Sequence, residues 1–488
     1  MGWARAAVGL VAVVAAGALL VSGGHEADPR TPDGLPGLPP PFLGVAVLGD
    51  GGLTAAVDAY GNVVDLRPAP AGRALIENPA DRQAAGTVEA DTGIQVWVRV
   101  GGAIRPMWEA DSVRQSYLPD TNVLRTVARF GEARVAIEQA VSGERLAIVT
   151  GGDSAETELR VNAPRGLVTR DPKALAEPAA ADRRWLAHAP PLGPNAPEWA
   201  RQMYDRSLLT LHALTGHNGA VTAGARDGWA YVWPRDASAV AIAFAAAGYR
   251  AEAERVTRFL LGLGLKHAAR FHGDGSPVPG RPAQGDAIGW VAAASQAAGI
   301  IGSAKRAAHI LAGGQPVPWR DRADYWEGEP GDYLGNAIAS GERSVDHLYG
   351  GELPTRLVRA PAETGSGLDS AAAWAVRPFS MPRLYPAAQA TLDRLVSQAT
   401  PYGITPGEGW PGGEDPWSAP TAWTAWSLAA LGERRQALRL MQALRRSATP
   451  AGDLPERVDA QTGVARSTTP LAWSHAFAIL ALRELWPG

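Results

Sequence analysis

Ten residues, ADYWEGEPGD at 323–332, hold four carboxylates, a Tyr and a Trp, with a Pro and two Gly that work against a helix. Within them Glu327 follows Trp326. A carboxyl held against an indole loses solvation, which raises its pKa and keeps it protonated near neutrality, as a general acid must be. A single loop glutamate is more often plain solvated surface. A second loop carboxylate, Glu456, follows a Leu-Pro pair in GDLPERVDAQTGVARSTTPLAWSHAFAIL, 452–480. Alone it reads equally well as a surface charge beside Arg457 or Arg466. A third stretch, GWAYVWPRDASAV at 228–240, sets Tyr231, Trp233, Arg235 and Asp236 at the start of an apolar helix. Asp236 could be an N-cap, but a cap explains neither the two aromatics nor the arginine. The fourth, FHGDGSPVPGRPAQGDAIGW at 271–290, brings Gln284 and Asp286 into a Gly/Pro loop, where a turn or a helix cap is the simpler reading.

These stretches need a scaffold, and the hydrophobic period supplies one. Over 43–161, short runs such as GIQVWVRVGG and ERLAIVTG alternate apolar and polar residues between Gly, Asp and Asn, as in an antiparallel β-sandwich. From 198 onward the apolar residues recur at helical spacing, and no convincing strand intervenes. Some of these segments are apolar nearly all round and suit the inner layer of a double-layered helical barrel. Others, such as 433–448, are amphipathic and suit its outside. The division expected is 1–42 as signal or anchor with a Pro-rich linker, 43–180 as the sandwich, 181–197 as a linker, and 198–488 as the barrel. The chemistry-bearing loops stand just before the inner helices, which places a site at one end of the ring.

Composition narrows the classes. The chain of 488 residues has a net charge of −3 and no basic stripe, so a nucleic-acid partner is not expected. With no Cys there is no disulfide, thiolate metal site or Cys nucleophile. Metal-protease, EF-hand and P-loop spacings are missing, and neither a metal nor a cofactor is called for. Tryptophan is out of proportion, 17 against 10 Tyr and 7 Phe, and most of it lies between Trp229 and Trp473, partly inside the loops above. An indole face stacks on the C–H face of a sugar ring while its N–H still donates. At the N-terminus Arg5 precedes an apolar run at 6–21, somewhat shorter than the about 18 residues of a full span. It reads as a secretory signal or a membrane anchor, giving an extracellular or envelope location.

The order of the motifs resembles the glucoamylase-like glycoside hydrolases, family 15, six-hairpin enzymes on an (α/α)6 barrel. The likeness runs from Tyr231 to Leu480. It is carried by Trp233-x-Arg235-Asp236, by GRPAQGDAIG, by Asp324-x-Trp326-Glu327, and by LPERVD leading to PLAWSHA. The resemblance implies an inverting glycosidase that removes terminal α-linked glucose from an oligo- or polysaccharide. Glu327 would be its general acid and Glu456 its general base. Arg235 and Asp236 would hold the terminal sugar, Tyr231, Trp233, Trp326 and Trp417 would wall it, and Asp324 would orient the acid loop. The chain departs from the family pattern in GEGWPGGEDPW, 407–417, where Trp410 and Glu414 stand in place of an Arg-Tyr pair, and in having Arg457 after the base. Trehalose or α-1,6-linked glucose as substrate, and an inactive glycan-binding envelope protein, are the alternatives.

Overall fold

The computed structural model describes residues 33–68, 71–77, 93–153, 156–161, 166–226 and 228–488. The apolar run at 6–21 lies outside them. Among the described residues no helix is long and apolar enough to cross a membrane.

Two sheets form the N-terminal part. The first is built from β1 (Gly44–Gly49), β2 (Leu53–Asp58), β3 (Val63–Pro68), β4 (Ile76–Glu77), β5 (Ile94–Val100), β6 (Ala103–Pro106) and β11 (Glu156–Val161), in the path β1-β2-β3-β5-β11. The second holds β7 (Ser112–Tyr117), β8 (Leu124–Phe130), β9 (Ala133–Ser142), β10 (Arg145–Asp153) and β12 (Val168–Thr169), in the order β12-β10-β9-β8-β7. Their inner faces share one core that includes Val45, Ile94, Leu124, Ile137 and Leu146. All pairings are antiparallel except β10 with β12, which run parallel, a departure from the wholly antiparallel expectation.

The alternation read from the sequence holds on β8, whose residues switch between buried and more exposed. It fails on β1 and β2, buried at every position. Helix α2 (Glu198–Ala213) covers their outer face, and Gly49 lies so close to the Ala213 carbonyl that a Cβ there would stand 2.4 Å from its oxygen. A strand sandwiched between a sheet and a helix has no solvent side to show.

Helix α1 (Lys173–Leu186) runs across the 180/181 boundary expected between the sandwich and the linker. Pro178 stands inside it, in a segment otherwise rich in Ala, a strong helix former. Leu175 and Ala179 are buried in one cluster with Val123, Ala140 and Ala147 of the second sheet.

From Glu198 the described chain is helical apart from isolated β-bridges between loops. α3 (Pro234–Ala246), α5 (Ala287–Ala297), α7 (Leu334–Ser340), a 3-10 segment (Ser370–Ala375), α10 (Ser418–Ala430) and α12 (Ala472–Leu485) pack each on the next, and α12 packs back on α3. Around them lie α4 (Arg250–Leu261), α6 (Ala304–Leu311), α8 (Glu342–Leu348), α9 (Tyr385–Ser397), α11 (Arg434–Ser447) and α2. The inner helices α3, α5 and α10 are mostly small residues, and these and α12 are buried on nearly all sides. Small side chains let backbones close up: a Cβ on Gly289 of α5 would sit 2.0 Å from the Ala339 carbonyl oxygen of α7.

Candidate active site

The loops that precede the inner elements are stitched to one another by single β-bridges. Val232 pairs with Phe271, Gln284 with Ala323, Asp369 with Gly407, and Trp417 with both Ile404 and Arg457. Segments remote in sequence thereby form one collar, and the acid loop and base loop both belong to it.

On the acid loop, Asp324 is buried. Its carboxylate accepts the Trp326 N–H at 3.1 Å and both arms of Arg359, Nε at 2.8 Å and NH2 at 3.0 Å. The Arg359 guanidinium also lies 4.3 Å from the Trp326 ring centroid. Asp324 is thus fixed beneath the loop, as an orienting residue would be. Glu327 follows with φ +59°, the left-handed region that a non-glycine residue enters at a cost of about 1 kcal/mol or more, and its N–H closes a turn on the Asp324 carbonyl at 2.9 Å. Such strain persists where the surroundings dictate the side-chain direction.

Glu327 does not lie against Trp326 as the sequence suggested. Its Oε1 accepts the Trp233 indole N–H at 2.8 Å and the Gln284 amide at 3.3 Å, and its carboxylate is ion-paired with Arg281. The side chain remains 27% exposed. Polar donors and a cation, rather than an apolar wall, are its first contacts.

Glu456 belongs to the loop before α12. Trp229 Nε1 donates to its Oε1 at 3.1 Å, and the Ser467 hydroxyl donates to Oε2. Each candidate carboxylate therefore holds an indole N–H from the same short segment, 229–233. Arg281, paired with Glu327, is also within the electrostatic reach of Glu456. Burial, with Arg270 beside it, lowers the Arg281 pKa to about 10, and Glu456 works the other way.

Arg235 and Asp236 start α3, and the structure disposes of the capping explanation: neither Asp236 nor Asp286 makes a side-chain cap bond at its helix. Instead Arg235 NH1 donates to Gln284 Oε1 at 2.7 Å and Asp286 Oδ2 at 3.2 Å, and NH2 faces Asp236 Oδ2 at 3.2 Å. One buried cation is set against two buried carboxylates. Desolvation raises Asp236 to about 7; Arg235 opposes the rise, and Asp286 and Glu456 add to it. Desolvation raises Asp286 too, against the pull of Arg235. Among the described residues Asp286 Oδ1 and Arg235 Nε have no hydrogen-bond partner, and Asp236 Oδ2 takes no well-formed hydrogen bond.

The wall is tryptophan. Trp326, Trp410 and Trp417 meet edge to face, with centroids 4.9 Å and then 5.1 Å apart. The row runs from the residue before Glu327 to the one bridged to Arg457. A Cβ on Gly407 would come within 2.9 Å of the Trp326 ring, so glycine is what lets the ring lie there. Trp233 differs from expectation. It is 4% exposed, with Arg270 and Arg281 over its ring and Tyr231 at its edge, so it serves as a donor to Glu327 rather than as an open stacking face. Tyr231 is half-buried under Arg270. Glu414 is exposed and carries no ion pair or hydrogen bond among the described residues; its neighbour Asp415 is the one engaged, with Arg457 at 3.3 Å. Trp229, Arg281, Arg359 and Ser467 were missed as site residues. Trp229, Arg281 and Ser467 lie inside stretches already singled out, whereas Arg359 has no local signal. Among the described residues no three His, Asp or Glu side chains are grouped as metal ligands.

No protein-family profile matches the chain, and no curated protein matches it by sequence. Solved structures do. A bacterial glucoamylase complexed with acarbose superposes with a TM-score of 0.64 at 13% identity, covering 90% of this chain and 93% of that one. A wild-type glycosidase superposes with a TM-score of 0.50 at 20% identity, covering 59% of this chain and 97% of that one. The fold is similar to that of a bacterial glucoamylase. The 90% span takes in the sandwich as well as the helical ring, so the likeness belongs to the pairing of the two.

Proposed function

We propose that the chain is an exported inverting glycoside hydrolase on an (α/α)6 barrel, removing terminal α-linked glucose from an oligo- or polysaccharide. One observation carries the reading: Glu327 and Glu456, far apart in sequence, are held from one segment by Trp233 and Trp229 and share the field of Arg281 beside a tryptophan wall. Glu327 protonates the glycosidic oxygen. Glu456 takes a proton from a water on the opposite face of the ring, which in inverting enzymes calls for carboxyls ~6.5–9.5 Å apart. Arg235, Asp236 and Asp286 meet the hydroxyls of the terminal sugar, because a neutral polyol is fixed by dense hydrogen bonding and these groups have unused capacity. The superposed glucoamylase, solved with acarbose, is consistent with a sugar ligand.

The test is a panel of maltose, isomaltose, trehalose and longer α-glucans, with NMR of the anomer first released. Wild type is expected to release β-glucose, and Glu327→Gln and Glu456→Gln to lose activity by ~10²–10⁴-fold while keeping the fold. Release of α-glucose, or variants as active as wild type, would end this reading.

A second reading is favoured by the departures from the family pattern at 407–417 and at Arg457, where residues that would hold the sugar differ. On that reading the protein binds α-glucans without turnover. Calorimetric binding of an oligosaccharide by a wild type that releases no sugar would support it.

A further inference from the structure

The segment that delivers Glu456 is held at each residue before it. Pro455 offers its carbonyl to the Ser418 hydroxyl. Leu454 donates its N–H to His475 Nε2 at 2.9 Å. Burial holds the His475 pKa well below its ordinary value, so the ring is neutral; with Nε2 accepting, Nδ1 carries the proton and donates to Ser207 Oγ at 2.9 Å. Asp453, fully buried, reaches the other way. Its Oδ1 accepts the Thr210 hydroxyl at 2.8 Å and its Oδ2 accepts the Tyr117 hydroxyl at 2.8 Å.

Tyr117 is not part of the helical ring. It ends strand β7 of the sandwich. Its hydroxyl also accepts the Val47 N–H of β1 at 2.9 Å and lies 2.9 Å from the Val47 carbonyl, the second acceptor within reach of its one proton, and Arg206 of α2 lies 3.8 Å from its ring centroid. Arg206 in turn donates to the Thr121 carbonyl at 2.9 Å and to Asn122, both in the turn after β7. One phenolic oxygen thus joins both sheets of the sandwich to the loop of the candidate base. A buried carboxylate is a costly way to fill space, since apolar residues of the same volume often serve as well or better. What it adds is direction, because hydrogen bonds fix a loop where apolar packing lets it slide.

We propose that Tyr117 is a positioning residue that acts through Asp453 to set the place of Glu456, so that the sandwich is a working part of the site. The kinetic consequence rests on the glycosidase reading above; the structural one does not. The groups that meet the sugar, Arg235 and Asp236, start a different helix, and the tether does not touch them. Loosening it moves the base relative to the attacked carbon and leaves ground-state sugar binding alone.

Tyr117→Phe removes one hydroxyl. It is expected to lower kcat about tenfold to hundredfold, the scale of a displacement of roughly 1 Å at a reacting group, with KM within about twofold. Asp453→Asn is expected to follow the same split. At Thr210, Ser restores the hydroxyl and should keep wild-type kcat, whereas Val should not. Hydrogen exchange followed by mass spectrometry gives a readout free of turnover: protection of the peptide 452–458 should fall in Tyr117→Phe while that of 234–246 holds. Folded Tyr117→Phe protein with wild-type kcat and wild-type exchange at 452–458 overturns the proposal. If Asp453→Asn fails to fold, Tyr117→Phe and the Thr210 pair decide. If wild type releases no sugar, the glycosidase reading fails, and the exchange result alone supports or overturns the tether.

Discussion

Asp58 of the sandwich and Asp236 of the cleft are both buried carboxylates without solvent, yet they are treated in opposite ways. Asp58 accepts four hydrogen bonds, from the N–H groups of Phe42, Tyr60 and Asn62 at 2.9, 2.9 and 2.8 Å and from the Asn62 amide at 2.7 Å. No arginine stands beside it among the groups that shift it; burial raises it to about 6 and those donors pull it back. Asp236 has a cation and few donors, and its Oδ2 takes no well-formed hydrogen bond. Among the described residues Asp286 Oδ1, Arg235 Nε and the indole N–H groups of Trp410 and Trp417 also lack hydrogen-bond partners, as do the core indoles of Trp290 and Trp374. In the described sandwich, Arg125 Nε and Gln139 Oε1 are the buried side-chain atoms in that condition. The Asp58 carboxylate is saturated by the chain itself, whereas the Arg235, Asp236 and Asp286 group keeps hydrogen-bonding capacity.

The sharpest break of this comparison is a pair of isosteric changes. Asp236→Asn still leaves Arg235 facing Asp286 and Gln284, so stability should hold or rise, since one of two competing buried charges is gone. Activity should fall about hundredfold in kcat/KM, the worth of one charged hydrogen bond to the sugar. Asp58→Asn should do the reverse. Its amide nitrogen meets N–H donors, two of which lose their acceptor, at a cost of about 3 kcal/mol in stability, while activity per folded molecule is unchanged. Urea denaturation and sugar release on both variants check this. Equal losses of activity in the two would erase the distinction.

The tryptophans extend the contrast with a smaller effect. Trp410 stands between Trp326 and Trp417 on the wall, whereas Trp108 meets Phe42 and Trp97 in the sandwich at 5.2 and 5.8 Å. Trp410→Ala should raise KM roughly tenfold, from about 1.5 kcal/mol of stacking, with little change in melting temperature. Trp108→Ala should change stability and leave KM alone.

The parts that could be read in the sequence were those where one short stretch carries its own chemistry. The change of period at Glu198 coincides with the start of α2, and Arg235 and Asp236 stand where the motif placed them, at the head of α3. The elements α7, α8 and Ser370–Ala375 were not foreseen, because six or seven residues do not complete enough turns to display a period. Arg359 could not be found because its role exists only once folding sets it 2.8 Å from Asp324, 35 positions earlier. The surroundings of Glu327 were misjudged for the same reason. Adjacency to Trp326 in sequence suggested an apolar neighbour, but at φ +59° the backbone turns the carboxyl toward Arg281 and Trp233, while the Trp326 ring turns to Trp410.

The smallest effect is one of pH, and it separates the two regions cleanly. A carboxyl whose pKa is raised on folding stays protonated in the native state while the unfolded chain has already lost its proton. Its favourable contribution is complete below the unfolded pKa near 4 and is lost as pH rises through the native value. For Asp58 the loss is largely over by about pH 6. For Asp236 and Asp369, which burial raises to about 7, it is still in progress. His212, which burial lowers to about 4, and His475, which burial holds well below its ordinary value, act in the opposite sense, chiefly below the unfolded imidazole value near 6.5. Between pH 6.5 and 7.5 Asp236 and Asp369 therefore outweigh the two histidines, and stability to urea should drop by roughly 1 kcal/mol. Asp236→Asn and Asp369→Asn should each flatten that slope, and Asp58→Asn should leave it as it is. A wild-type stability that rises across this interval would mean that Asp236 and Asp369 are ionised in the native state, and that the cleft holds its charges far more comfortably than its unpaired atoms imply.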